Sequence, residues 1–112
     1  MSADPSKPEI LAPAHCQTMA EVRAGVDNVD RALVALLQTR FGYMDAAARI
    51  KPTRDAVRDE ARKAQVIANI RAEATARGLP DALLMQLWED LVEGSIAYEL
   101  DRWDAEQANE HD

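Results

Sequence analysis

The side chains with the greatest capacity for chemistry are cations set at helical spacing. Arg40 and Lys51 are eleven residues apart, which is about 1,100° of rotation on a helix of 3.6 residues per turn, so they project within about 20° of one another. Arg23 stands seventeen residues before Arg40 and points about 100° away, so it reaches that face more readily from a second chain. Arg62 follows closely after a break at Pro52 and can fold back towards Lys51. Four cations converging on one cavity would make the local basic pocket that an anionic small substrate needs. The plain alternative for any one of them is a solvated surface charge.

Ser95 and Glu99 are four residues apart on an apolar stripe, where a carboxylate needs a partner, Arg102 being the simplest. His15 and His111 lie in opposite tails, and the single Cys16 has no metal-ligand spacing, so the pattern offers neither a metal site nor a nucleophile with its base. Trp88 and Trp103 read as packing residues.

These groups need helices to position them. From Met19 to Lys51, apolar residues fall at Val22, Val26, Val29, Leu33, Leu36, Leu37, Met44, Ala47 and Ile50, the three-and-four spacing of one helical face. Thr18 followed by Glu21 predicts a capping box at its start. Roughly 33 residues of helix span about 50 Å, too long for a compact monomer of this size to cover. Pro52 ends the helix, and 52–57 reads as a short polar loop able to serve as a lid. A second helix is expected from Arg58 to Arg77, with Val66, Ile67 and Ile70 buried, ended by Gly78. A third runs from Pro80 in its first turn to about Trp103, with the stripe Leu84, Leu87, Trp88, Leu91, Ser95, Tyr98 and Arg102. Residues 1–17 and 105–112 read as flexible tails flanking a helical domain at 18–104.

Composition agrees. The 112 residues are 47% hydrophobic but only 4% aromatic, which suits one all-α domain. A long helix beside two shorter ones points to a symmetric intertwined homodimer. The net charge of −7 argues against nucleic-acid or anionic-membrane partners. The lone cysteine and the lack of a leader or spanning segment fit a cytoplasmic protein.

Taken together, VRAGVDNVDRALVALLQTR, AARIK, VRDEARKAQVI and LVEGSIAYE resemble the all-helical (class II) chorismate mutases and their relatives, the isochorismate-pyruvate lyases, over about Met19 to Trp103. The resemblance implies an intertwined dimer of three-helix chains. It implies that Arg40 and Arg62 bind the two carboxylates of chorismate, that Arg23 comes from the other chain, and that Lys51 contacts the ether oxygen and a carboxylate. Asp59 matches an acidic residue near the ring hydroxyl, and Ser95 a further substrate contact. Glu99 falls where many members carry Gln as the second donor to the ether oxygen and some carry Glu. Lys63 departs from the pattern, standing where several mutases have a Glu.

The implied reaction is the rearrangement of chorismate to prephenate, an intramolecular pericyclic step that needs no cofactor. Because a carboxylate donates only when protonated, a donor role for Glu99 implies activity favoured by acid. HCQTMAEVR and AARIK are similar to the lyase branch, which releases pyruvate from isochorismate in the same kind of pocket. A mutase of the amino analogue of chorismate and a non-catalytic helical adaptor of a shikimate-pathway enzyme are the further alternatives.

Overall fold

The computed structural model describes residues 9–110, so the first eight residues of the expected tail, and His111, lie outside the described residues. Among the described residues three α-helices, α1 (Met19–Ile50), α2 (Glu60–Ala76) and α3 (Asp81–Glu110), carry the fold. The fold is all-α, as the patterning predicts. Among the described residues no helix is long and apolar enough to cross a membrane.

The chain divides into two units, Met1–Arg40 and Phe41–Asp112. In the first, the predicted capping box is present: Thr18 Oγ1 accepts from Glu21 N at 3.1 Å, and Glu21 Oε1 accepts from Thr18 N at 3.0 Å and Gln17 N at 2.8 Å. These backbone donors, that of Gln17 first, hold the Glu21 carboxyl below its ordinary range. The lead-in is more ordered than its prolines suggest. Pro13–His15 forms a turn of 3-10 helix, and Ile10, Leu11 and Cys16 line an apolar groove of about 340 Å³ with Val22, Val26 and Val29 of α1.

The apolar face of α1 is largely exposed: Val26 is 52%, Val29 55%, Leu33 51% and Leu36 66% accessible. Near its C-terminal end Met44 and Ala47 are half-buried and Ala48 is buried.

In the second unit α2 packs against α3, with Ala74, Val92, Val57 and Ala48 buried. Val66, Ile67 and Ile70 are half-buried rather than buried. Helix α2 starts at Glu60, two residues later than expected, because the Asp59 side chain caps it by accepting from Arg62 N at 3.0 Å. It ends as predicted at Gly78, whose φ of 68° is the left-handed conformation glycine tolerates. There Leu79 N donates to Ala74 O at 2.9 Å and Gly78 N to Thr75 O at 3.2 Å, the paired bonds of a Schellman motif. Pro80 is the residue before α3, its carbonyl accepting from Leu84 N at 3.1 Å.

Helix α3 continues past Trp103 to Glu110. AEQAN contains no Gly or Pro and is rich in helix formers, so the stretch read as a frayed tail is helical. The buried row of α3 is Val92, Ser95 and Glu99, while Leu87 is 51% exposed.

Candidate active site

Lys51 sits at the C-terminal end of α1, where a cation complements the exposed carbonyls. Its amide closes the helix on Ala47 O at 2.9 Å, and Pro52 prevents another turn. The Trp103 indole donates to Lys51 O at 3.1 Å, satisfying a carbonyl that has no partner within the helix. The ammonium donates to Glu99 Oε2 at 2.7 Å and to Val57 O at 3.3 Å.

Glu99 is 4% exposed. The simplest partner named from sequence, Arg102, is not the one it takes: Arg102 pairs with Asp45 at 3.0 Å and donates to Tyr98 Oη at 3.1 Å. Those contacts, Tyr98 first, hold the Arg102 guanidinium above its ordinary value. Tyr98 in turn donates to Asp45 Oδ1 at 2.7 Å and stacks edge-on against Phe41, which fixes the register of α3 beside the end of α1. One turn before Glu99, Ser95 is 3% exposed and its hydroxyl donates to Leu91 O at 2.6 Å.

The expected loop is partly helical: Arg54–Ala56 forms a 3-10 turn, and Arg54 clamps Asp104 of α3 at 3.0 and 3.4 Å. Beyond it, Asp59 caps α2 through Oδ1. Arg62 directs Nη1 to Gln65 Oε1 at 2.6 Å, along its own helix rather than back to Lys51. Lys63 is held by Glu89 at 2.8 Å and Glu93 at 2.9 Å, and these two hydrogen bonds raise its pKa.

Of the residues singled out from sequence, the structure therefore joins Lys51 to Glu99 and Asp59 to Arg62. Arg23 and Arg40 belong to the first unit. The Val57 carbonyl, the Trp103 indole and the Glu93 carboxylate were not anticipated. A buried Val and a conspicuous Trp are visible in the sequence, but their partners lie far away along the chain.

The arrangement is a carboxylate–ammonium pair at the junction of three segments, its carboxylate buried and its ammonium partly exposed, suited to placing a hydrogen-bond donor on a small anion. The family model of chorismate mutase type II matches residues 22–100, and the chain belongs to that family. It is also similar to an isochorismate pyruvate lyase of Pseudomonas aeruginosa, with 26% identity over 91 residues, 81% of this chain and 90% of that protein. Family membership points to an enzyme of the chorismate mutase type, and Lys51 and Glu99 both lie inside the matched region.

Proposed function

We propose that the protein is a chorismate mutase, converting chorismate to prephenate, and that Lys51 and Glu99 are its donors to the ether oxygen. The observation that carries this reading is the contact between Lys51 Nζ and a buried Glu99 carboxylate at 2.7 Å. In the rearrangement the ether C–O bond breaks while a C–C bond forms between the same substrate's side chain and ring, and no group enters or leaves. Negative charge grows on the ether oxygen, so a preorganised donor there lowers the barrier. The ammonium of Lys51 carries three N–H donors; Glu99 and Val57 take two of them among the described residues, and the third serves the substrate. Glu99 contributes as a second donor in its protonated form. The roles that the resemblance assigns to Arg23, Arg40, Asp59, Arg62 and Ser95 are carried into this proposal unchanged.

The exposed face of α1 supports a homodimer. Each half-exposed Val or Leu of that face withdrawn from water contributes about 1 kcal/mol, and a second α1 offers the matching surface, with Arg23 supplied across the interface.

A second reading, isochorismate-pyruvate lyase, is favoured by the relative of that name. Supplying the purified protein with chorismate and isochorismate in separate reactions distinguishes the two: prephenate marks the mutase, and salicylate with pyruvate marks the lyase.

A further inference from the structure

Glu93 lies on α3 two residues before Ser95 and six before Glu99. Its Oε1 accepts from Arg58 Nη2 at 2.8 Å, and its Oε2 accepts from Arg58 Nη1 at 3.1 Å and Lys63 Nζ at 2.9 Å. One carboxylate thus holds both the residue before the α2 cap and the residue after Arg62. Between those two grips stand Asp59 and Arg62. Immediately before Arg58 is Val57, 4% exposed, whose carbonyl accepts from Lys51 Nζ.

Isolated surface ion pairs contribute little to stability, whereas a bidentate guanidinium–carboxylate contact within a network fixes geometry. Without the Glu93 carboxylate, Lys63 would still reach α3 through Glu89 at 2.8 Å. Among the described residues Arg58 would keep Glu60, at 2.8 Å, on the first turn of α2 itself. The fold would therefore persist, held there by the Arg54–Asp104 clamp, while the junction at Val57–Asp59 lost its nearest ion pair to α3.

We infer that Glu93 is a positioning residue for substrate recognition, fixing the Val57–Asp59 junction and the first turn of α2 on α3 so that Asp59, Arg62 and the Val57 carbonyl keep their places. This rests on the mutase-type reading of the site. Neither Glu93 nor Arg58 touches the substrate in that reading; both act through their neighbours.

The test compares wild type with Glu93→Gln, Arg58→Ala and the double variant, by steady-state kinetics on whichever substrate wild type turns over and by amide hydrogen exchange at Arg62 and Lys63. Those two amides bond to the Asp59 side chain and carbonyl, at 3.0 and 2.9 Å. Loosening groups that hold ground state and transition state alike raises KM with little change in kcat, so each single variant should raise KM about fivefold, the most that one exposed ion pair typically supplies. The double variant should cost less than the product of the two singles, because both break the shared Arg58–Glu93 contact. Exchange at Arg62 and Lys63 should quicken. An unchanged KM, a loss confined to kcat, multiplicative effects in the double variant, or unaltered exchange in an active enzyme would each overturn the inference. Exchange needs no substrate, so a wild type inactive on both chorismate and isochorismate overturns the functional reading, and the recognition role with it, by a separate observation.

Discussion

Lys51 Nζ lies 2.7 Å from Glu99 Oε2 across 48 residues of sequence, and the carboxylate is almost fully withdrawn from water, with 5% side-chain exposure against 29% for the lysine. Removing the lysine leaves a buried acceptor without its strongest donor. Lys51→Ala should lower kcat by about 10²–10³-fold, the loss typical of one transition-state donor. It should also destabilise the fold by about 1–3 kcal/mol, the cost of an unsatisfied buried group. Steady-state kinetics and urea unfolding check the two effects; a variant with near wild-type turnover would remove Lys51 from the site.

Glu99→Gln keeps an acceptor oxygen for Lys51 Nζ and carries an amide donor besides, so its turnover should stay within about tenfold of wild type, whereas Glu99→Ala should lose about 10²–10³-fold. Steady-state kinetics on both variants decides it, and an alanine variant as active as wild type would remove Glu99 from the site.

The Arg58 guanidinium, and after it Lys63, hold the Glu93 carboxyl at about 2. A carboxylate whose folded-state pKa is depressed stabilises the fold above its unfolded pKa and loses that contribution as pH falls through the folded value. Wild type should therefore lose stability between about pH 4.5 and pH 2 by more than Glu93→Gln does. Urea midpoints across that window check this; identical acid sensitivity would mean that the contact carries no linkage.

The part of this architecture that follows local rules was legible in the sequence. The Thr18–Glu21 box, the stop at Pro52 and the Gly78 turn each depend on a few neighbouring residues, and each stands where the pattern put it. Lys51 and Glu99 were identifiable because a resemblance supplied a reason to connect residues far apart in the chain. Glu93 was not, since a glutamate on a polar helix face looks like any solvated charge until α2 brings Arg58 and Lys63 to it. The third helix was read short for a related reason: its stripe gives out at Arg102, but the backbone continues wherever nothing breaks it.

The exposed α1 face gives a prediction about assembly. Leu33→Glu, at a position 51% exposed in the single chain, should leave the helix intact yet place a charge in the proposed interface, yielding monomers with little activity. Sedimentation equilibrium with circular dichroism reads both properties. A fully active monomeric protein, whether wild type or variant, would contradict the dimeric site.

The most direct measurement is product analysis with purified wild type and Lys51→Ala, each given chorismate and isochorismate separately, resolving prephenate from salicylate and pyruvate. The account predicts prephenate from wild type at an enzymatic rate and about 10²–10³-fold less from the variant. Salicylate and pyruvate formed with the higher specificity constant, or no turnover of either substrate, would contradict it.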